Sequence, residues 1–259
     1  MNQIEKYYNK FNEHKRLTSR HGIVEFTISM EFILKHLSLI GNKPLNILDV
    51  GAGTGRYSGY LNSLGHNVTA VELVKKNLSV LKQNYPNVTA SLGNATNLKK
   101  FKDNSFDAVI LFGPMYHLHQ KKEQLMALAE AKRVVKSGGV IFVAYLLSSY
   151  AVVRHGFMDN TIHEEIERGK LDKNFNIISC EEDLYFYTNL NYINQLNNEV
   201  NLKRLEIISP DGPTDYIRQY INKLSEQNFN IYLDFVRQNA TNPHTVGASS
   251  HIVDILTKQ

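Results

Sequence analysis

The stretch ILDVGAGTGRY, residues 47–57, decides the fold that we predict for this chain. It is an apolar run that contains Asp49 and leads at once into three glycines, Gly51, Gly53 and Gly55. An apolar run of this length is typical of a buried strand, and closely spaced glycines are typical of a turn. Glycine lets a ligand approach the backbone, and the start of the following helix offers N–H groups. The stretch therefore predicts a strand that turns into a helix around a nucleotide-like ligand.

Two common nucleotide-binding patterns do not fit these glycines. A P-loop needs G-x-x-x-x-G-K-[ST], and no Lys followed by Ser or Thr stands directly after these glycines. A dinucleotide fingerprint needs G-x-G-x-x-G, but its third glycine would fall at Arg56 when counted from Gly51, or at Ser58 when counted from Gly53. Neither a P-loop nor a pyrophosphate site is therefore expected.

Strand and helix patterns alternate through most of the chain. Short apolar runs predict strands at 46–50, 67–71, 87–91, 106–112, 140–146, 203–208 and 251–256. Helical periodicity predicts helices at 4–39 with a break at Gly22, and at 56–64, 74–84, 120–135, 189–201, 214–224 and 229–236. Strands that alternate with helices at this spacing predict a parallel sheet covered by helices on both faces.

The spacing D-x-G-x-G-x-G, which begins at Asp49, resembles motif I of the class I S-adenosylmethionine-dependent methyltransferases. Segments 103–110 and 134–139 resemble that family's approaches to its fourth and fifth strands, so the likeness covers residues 45–146. The resemblance implies a three-layer, Rossmann-like α/β fold with a seven-stranded, mostly parallel sheet whose last strand is antiparallel. It also implies an N-terminal helical lid, helical insertions, and S-adenosyl-L-methionine as the cofactor.

The implied cofactor site lies beyond the carboxyl ends of the strands, where such sheets bind their ligands. Glu72 ends the second strand, and an acidic side chain there can accept hydrogen bonds from both ribose hydroxyls. Asn94 stands where the family often has Asp, and its amide oxygen can accept from the adenine amino group. An ordinary surface glutamate and a turn asparagine are the alternatives. The predicted cofactor-binding residues are Arg20, Asp49, Gly51, Ala52, Gly53, Gly55, Glu72, Leu73, Asn94, Ala95, Leu111 and Gly113.

The segment after the fourth strand is expected to face the transferred methyl group. There the backbone of Leu111 and Gly113 is predicted to hold the methionine part of the cofactor. His117 is the candidate general base, because the unperturbed pKa of histidine lies near neutrality. Tyr116 is predicted to pack on the cofactor or the acceptor, and for both side chains a purely structural role is the alternative. Arg20 is predicted to pair with the methionine carboxylate, or else to be a solvated charge beside a helix break.

We predict a single domain over residues 1–259 that has four parts. They are a helical lid at 1–43, the cofactor-binding half at 44–146, an aromatic-rich cap at 147–188, and the C-terminal part of the sheet at 189–259 with a helical insertion at 209–249. The cap and the insertion are expected to choose the acceptor. His251, on the last strand, is predicted to be a core or edge histidine, with a role as a base as the alternative.

Composition argues against several functional classes. The net charge of +4 comes from Lys and Arg residues scattered along the chain, so a dedicated nucleic-acid binder is not expected. A single cysteine, Cys180, excludes an intrachain disulfide, and no Cys/His spacing typical of a metal site occurs. The polar N-terminus lacks a signal-peptide core, and no apolar run reaches the roughly 18 residues of a membrane span. We therefore expect a soluble cytoplasmic protein with no membrane partner.

The leading functional hypothesis is methyl transfer from S-adenosylmethionine to a small-molecule acceptor by a monomer or homodimer. The aromatic cap and the lack of an added RNA-binding domain favour it. An RNA or protein methyltransferase is the first alternative, because the mild basicity permits it. A cofactor-binding protein without catalysis is the second alternative, because the assignment of a base rests on His117.

Overall fold

The first element that the structure describes in full is a long helix, α1 (Arg20–Ile40). In this computed structural model the described residues are Tyr7, 19–41 and 44–258. The helix begins at Arg20 because the Ser19 side chain accepts a hydrogen bond from the Gly22 N–H and caps the first turn. The predicted break at Gly22 is therefore wrong, since Gly22 lies buried within that turn. The part of the predicted helix before residue 19 lies outside the described residues, apart from Tyr7.

Strands and helices then alternate along the chain. The strands are β1 (Asn46–Val50), β2 (Asn67–Glu72), β3 (Thr89–Leu92), β4 (Phe106–Leu111), β5 (Val135–Leu147), β6 (Tyr187–Thr188), β7 (Leu202–Ile208) and β8 (His251–Lys258). The further helices are α2 (Arg56–Ser63), α3 (Lys75–Asn84), α4 (Lys121–Val134), α5 (Ser148–Ala151), α6 (Ile162–Glu167), α7 (Leu190–Val200), α8 (Arg218–Ile221), α9 (Glu226–Asn239) and α10 (Pro243–Val246). A 3-10 turn at Pro114–Tyr116 and a π-helical turn at Val152–Phe157 complete the described elements.

The strands form one sheet with the order β3-β2-β1-β4-β5-β8-β7. Strands β1 to β5 pair in parallel, whereas β8 runs antiparallel to both β5 and β7. The predicted mostly parallel sheet with an antiparallel last strand is therefore confirmed. The two-residue β6, which the sequence pattern did not indicate, adds an eighth strand beside the end of β5 and joins the cap to the sheet.

Two apolar clusters cover the two faces of the sheet. Alternate residues of β4 belong to different clusters: Val109 and Leu111 to one, Ala108 and Ile110 to the other. Because successive side chains of a strand point to opposite faces, the clusters lie on opposite sides of the sheet. Helices α4 and α7 supply the first cluster, and α1, α2, α3 and α9 supply the second. The described chain is therefore a three-layer α/β structure, as the resemblance implied.

Helix α1 belongs to one of these outer layers. Its Val24, Ile28 and Ile33 side chains are fully buried in the cluster that covers the sheet. None of the helices in the described ranges, α1 included, is long and apolar enough to cross a bilayer. The lid role predicted for 1–43 stays a prediction for the residues before 19, which lie outside the described part of the chain.

The strand register brings several chain turns to one edge of the sheet. Val50 lies beside Val71 of β2 and Leu111 of β4, and β3 ends alongside β2. The segments that follow β1, β2, β3 and β4 therefore leave the sheet at the same edge. Strand β8 starts at this edge, since it runs the opposite way and places His251 beside Leu146 near the end of β5.

Candidate active site

The glycine loop between β1 and α2 combines tight packing with open space. A Cβ on Gly51 would lie 2.6 Å from Cδ of Pro114, and a Cβ on Gly55 would lie 2.6 Å from Cγ of Leu81. Gly53 has a φ of 57°, and a Cβ there would meet no atom of the described residues within 4 Å. Gly51 and Gly55 are thus required by the packing of the protein itself, whereas Gly53 faces a space that a ligand can fill.

The carboxylate of Glu72 ties this loop to the end of β2. It accepts hydrogen bonds from the Gly53 N–H (N to Oε2, 2.8 Å) and from the Val74 N–H (N to Oε1, 2.8 Å). Burial raises the pKa of the Glu72 carboxyl above its usual value, against the effect of these backbone hydrogen bonds. Glu72 therefore has a structural role, and its contact with the ribose stays a prediction. Each carboxylate oxygen can accept more than one hydrogen bond, so the predicted ribose contact is compatible with this arrangement.

Asp49 lies buried near the end of β1. Its Oδ2 accepts a hydrogen bond from the Ser58 hydroxyl, at an oxygen–oxygen distance of 2.5 Å. Burial raises the pKa of Asp49 to about 6; the Ser58 hydrogen bond offsets part of this effect, and the charge of Glu72 adds to it. Two carboxyl groups that burial makes harder to ionise thus stand side by side at the glycine loop.

We expect Asp49 to make the stability of the protein depend on pH. Because its pKa rises from 3.8 to about 6 on folding, the folded state holds this proton more tightly than the unfolded state. The free energy of unfolding should therefore fall as the pH rises through this window. Asp49→Asn removes this contribution, so the stability of the variant relative to the unmodified protein should increase by about 2.5 kcal/mol from pH 4 to pH 7. Urea denaturation at several pH values measures this difference, and parallel pH profiles for the two proteins would contradict the expectation.

The strand ends surround a cavity of about 310 Å³. This volume lies at the lower limit of the range usual for small-molecule sites. The predicted site residues that line the cavity are Asp49, Gly51, Ala52, Gly53, Glu72, Leu73, Asn94, Ala95, Gly113, Tyr116 and His117. Among the lining residues outside the predicted set are Glu25, Ser29, Arg56, Tyr57, Phe112 and His251. No three His, Cys, Asp or Glu side chains come together as a metal site within the described ranges.

Three predicted cofactor contacts do not lie at this cavity. The Leu111 side chain is fully buried in the sheet core, and the next residue, Phe112, lines the cavity in its place. Gly55 packs against α3 and supports the loop from behind. The Arg20 guanidinium carbon lies 5.2 Å from the ring centre of Phe229 on α9, so this charge faces the C-terminal insertion.

A positive charge is nevertheless present at the cavity. Arg56, the first residue of α2, lines it, and its guanidinium carbon lies 3.9 Å from the ring centre of Phe26 on α1. The next residue, Tyr57, packs edge-on against Phe112 with 5.1 Å between ring centres. Both residues follow Gly55 directly in the sequence, so their position at the start of the helix was a usable signal.

The turn after β3 supplies a further wall of the cavity. Asn94 lines the cavity, and its amide oxygen accepts a hydrogen bond from the Thr96 N–H at 3.1 Å. This oxygen therefore stabilises the turn, and its contact with an adenine ring stays a prediction. Ala95 beside it is buried and Leu73 is partly buried, so both offer apolar surface to a flat ring.

The cap contacts both candidate catalytic residues, His117 and Tyr116. Nδ1 of His117 lies 3.0 Å from the carbonyl oxygen of Leu184, and the carbonyl oxygen of Tyr116 accepts from the Phe186 N–H at 2.8 Å. Burial lowers the pKa of His117 to about 4; the Leu184 contact works against this shift, and the neighbouring His119 adds to it. A base with so low a pKa gives proton transfer little driving force at neutral pH. The pKa of His117 therefore lies well below the near-neutral value expected of a general base.

A second histidine of the cavity has a different partner. His251 begins β8, and its Nδ1 lies 2.9 Å from Oδ2 of Asp211. The His251 backbone N–H donates to the same carboxylate, and the Ser249 hydroxyl donates to it as well. Burial raises the pKa of Asp211, while the hydrogen bond from His251 lowers it. The two residues are 40 positions apart, so no local pattern could indicate the pair.

Comparison of the sequence with known proteins matches it to methyltransferases. A family model described as "Methyltransferase domain" matches residues 48–143. The demethylmenaquinone methyltransferase of Renibacterium salmoninarum is 40% identical over 98 residues, which make up 38% of this chain and 40% of that protein. The demethylmenaquinone methyltransferase of Streptomyces avermitilis is 33% identical over 143 residues, or 54% of this chain and 57% of that protein. The matches thus span less than two thirds of the length of these curated relatives.

Solved structures share the fold over almost the whole chain. A methyltransferase of Thermotoga maritima, described as a possible histamine N-methyltransferase, has a TM-score of 0.57 and 17% identity, and the match covers 98% of both chains. The 1,6-didemethyltoxoflavin-N1-methyltransferase of Burkholderia thailandensis, solved with its substrate and S-adenosylhomocysteine, has a TM-score of 0.57 and 15% identity over 98% of this chain and 84% of that one. At such identities the likeness establishes the fold. The family match identifies residues 48–143, which hold the glycine loop and most of strands β1 to β5, as a methyltransferase domain, and the shared fold is that of the S-adenosylmethionine-dependent class I methyltransferases.

Proposed function

We propose that this protein transfers a methyl group from S-adenosyl-L-methionine to a small-molecule acceptor. The observation that carries the proposal is the space at Gly53. The described residues leave this space open, whereas Gly51 and Gly55 in the same loop are tightly packed. Glu72 and Asp49 border this space, and Tyr116 lines the same cavity. The loop therefore provides a cradle at the position where the class I fold carries its motif I.

The residues at this cradle fit an adenosyl group joined to an amino acid. Glu72 offers acceptor positions for ribose hydroxyls, and Leu73 and Ala95 offer apolar surface to the adenine ring. On the opposite side the turn after β4 approaches the glycine loop closely, since a Cβ on Gly113 would lie 3.7 Å from the carbonyl oxygen of Gly51. The backbone of this turn is thus placed to contact the methionine part.

The chain has to align the acceptor and keep water out. When bound, S-adenosylmethionine supplies a methyl group carried on a sulfonium sulfur. Class I transfer then depends mainly on position and on exclusion of water. The rings of Tyr57, Phe112 and Tyr116 line the cavity, and the cap is held against Tyr116 by the Phe186 hydrogen bond. These aromatic side chains would shield the reacting atoms from water.

A small acceptor is supported by the size of the site and by the relatives. The cavity volume of about 310 Å³ suits small molecules. The Burkholderia neighbour holds 1,6-didemethyltoxoflavin, and two of the sequence relatives are named for demethylmenaquinone. In this chain the 209–249 segment reaches the cavity at Pro210, and the cap packs against the cavity residues Tyr116 and His117. Both segments would therefore take part in selecting the acceptor.

Calorimetric titration followed by a labelled-methyl assay tests the proposal. The full chain is titrated with S-adenosylmethionine and with S-adenosylhomocysteine, and is then incubated with labelled cofactor and separated metabolite, RNA and protein fractions. We expect micromolar binding of both compounds and label in the metabolite fraction. Label confined to RNA or protein would support the macromolecular alternative, and binding without transfer would support the non-catalytic one. Absence of binding by the folded protein would contradict the proposal altogether.

Glu72→Ala is expected to weaken binding of S-adenosylmethionine by about 1–3 kcal/mol, because the ribose hydroxyls lose their acceptor. It should also lower the melting temperature, since the Gly53 and Val74 N–H groups lose theirs. Glu206→Ala is the matched control, because Glu206 accepts hydrogen bonds from Lys35 and His36 away from the cavity. Calorimetry should show normal affinity for the control, and an unchanged affinity of Glu72→Ala would remove Glu72 from the ribose site.

A further inference from the structure

Two histidines of the described chain line the cavity, and their partners differ in charge. Nδ1 of His117 faces the carbonyl oxygen of Leu184, at 3.0 Å. Nδ1 of His251 faces the carboxylate of Asp211, at 2.9 Å. A carboxylate stabilises the imidazolium that forms when the ring takes up a proton, whereas a neutral carbonyl does so much less. His251 therefore has the surroundings of a proton acceptor, and His117 does not.

The Asp211 carboxylate is itself held in place. The Ser249 hydroxyl and the His251 backbone N–H donate to Oδ1, and the same backbone N–H and the ring Nδ1 approach Oδ2. The main-chain carbonyl of Asp211 accepts from Thr214, whose hydroxyl also contacts that of Tyr232 at 2.9 Å. These donors favour the ionised form of the carboxyl group, against the burial that raises the pKa of Asp211 above its usual value. An ionised Asp211 then receives the Nδ1–H of His251, which leaves the basic lone pair of the ring on Nε2.

The groups around this pair come from several elements. The titratable and charged residues that line the cavity with His251 are Glu25, Asp49, Arg56, Tyr57, Glu72, Tyr116, His117 and Glu123. Glu25, Tyr150, Tyr216 and Tyr232 interact electrostatically with Asp211. The ring of Tyr116 lies on the cavity side, with 6.2 Å between its centre and that of His251. Glu25 on α1 adds a second negative charge, which raises the pKa of Asp211 and so opposes the donors that favour its ionised form.

Resting on the proposed function, we propose that His251 is the proton acceptor for methyl transfer to an aromatic hydroxyl, with Asp211 as its positioning residue. A neutral hydroxyl is a poor nucleophile and needs a base, whereas a neutral amine attacks without one. The cavity rings Tyr57, Phe112 and Tyr116 offer flat apolar surface to an aromatic acceptor. A histidine that is hydrogen-bonded to a carboxylate and lies beside such a surface is suited to deprotonate a phenol or an enol.

With a phenolic acceptor, the reaction begins with loss of the hydroxyl proton. The O–H bond breaks and its proton moves to Nε2 of His251, which becomes an imidazolium held by Asp211. The electron pair left on oxygen forms the new C–O bond to the methyl carbon. As this bond forms, the bond from that carbon to sulfur breaks, and its electron pair stays on sulfur, which becomes a neutral thioether. His251 later releases the proton to water.

The tautomer of His251 can be measured without any acceptor. Nitrogen-15 NMR of the full chain, free and with S-adenosylhomocysteine, reports which ring nitrogen carries the proton, and the signal that disappears in His251→Gln assigns the residue. We expect the Nδ1–H tautomer. Asp211→Asn should lower the pH at which His251 titrates by about one unit or more, because the opposite charge is lost. An Nε2–H tautomer, or a titration that Asp211→Asn leaves unchanged, would overturn the proposal.

A series of phenols tests the role in catalysis. His251→Gln is expected to lower kcat/KM at least about 100-fold for phenol, the usual contribution of a general base. The loss should be much smaller for pentafluorophenol, which is already ionised at neutral pH and needs no base. Binding of S-adenosylmethionine should stay unchanged by calorimetry. The matched control is His163→Gln, since the His163 side chain on α6 is 83% exposed.

The possible outcomes separate this proposal from the proposed function. An equal loss for both phenols, or no loss for either, would overturn the role of His251 as a base. Methylation of aniline or thiophenol by the unmodified protein, without methylation of any phenol, would overturn the hydroxyl class and leave methyl transfer intact. Absence of transfer to every phenol also overturns the proposal, and calorimetry on the same sample shows whether the cofactor site fails as well.

Discussion

Gly53→Val is expected to abolish binding of S-adenosylmethionine in a protein that still folds. The valine side chain would fill the space that the described residues leave open beside Glu72, where no atom lies within 4 Å of a Cβ. The added Cβ therefore meets no described atom, and the side chain that extends from it would compete directly with the ligand. Some stability is lost, because a φ of 57° is strained for a β-branched residue by about 1–3 kcal/mol. Calorimetric titration with S-adenosylmethionine measures the effect on binding.

Gly65→Val separates backbone strain from occupation of the site. Gly65 has a φ of 89° in the turn after α2, and a Cβ there also meets no atom of the described residues within 4 Å. The control should thus lower the melting temperature comparably and bind S-adenosylmethionine with normal affinity. Normal affinity in folded Gly53→Val would remove the glycine loop from the cofactor site. Loss of binding in both variants would assign the effect to strain.

Arg204→Met is expected to lower the free energy of unfolding by about 3–5 kcal/mol, because it leaves a buried carboxylate without its charge partner. Asp254 lies on β8 with no exposed surface, and it receives Nε of Arg204 at 2.6 Å and Nη2 at 2.8 Å. After the substitution the Asn197 amide, at 2.7 Å, would be its remaining side-chain donor in the described structure. Urea denaturation at neutral pH measures the change. Because β8 begins at His251, this ion pair also stabilises the strand that carries the proposed base.

An exposed ion pair provides the comparison for Arg204. Lys121 and Glu199 are 2.5 Å apart, with side chains 42% and 46% exposed. Lys121→Met removes the same kind of charge partner, but water can solvate the glutamate that remains. The expected change in unfolding free energy is therefore below about 1 kcal/mol. Equal effects of the two substitutions would show that the burial of Asp254 does not determine the cost.

The parts of the fold that depend on local pattern were predicted well. The run at β1 and the glycines after it were recognised because apolar periodicity and turn residues are properties of neighbouring positions. The start of β5 was missed, since Gly138 and Gly139 indicated a stop. The structure continues the strand there because a Cβ on Gly139 would lie 2.7 Å from the carbonyl oxygen of Asp107, so that glycine is required for close strand packing. β6 was missed because two residues carry no periodicity.

The site residues that depend on local pattern were also predicted better than those that depend on tertiary packing. Most residues at the ends of β1, β2 and β3 line the cavity, since the end of a parallel strand determines where the next residues lie. Arg20 was predicted to lie there as well, but the packing of α1 against α9 places its side chain beside Phe229. His117 reaches the cavity as predicted, but the cap buries it and lowers its pKa to about 4. Burial depends on everything that packs around a residue, and no local pattern reports it.

The sequence by itself determined the family, the order of the strands along the chain and the glycine cradle, because each depends on residues within a few positions of one another. The tertiary structure alone decided which histidine has a carboxylate behind it. Asp211 follows β7 and His251 begins β8, and they meet because these two strands are antiparallel neighbours. Such a meeting is set by the pairing of distant segments, and the charge state it favours depends on how completely the packed chain excludes water.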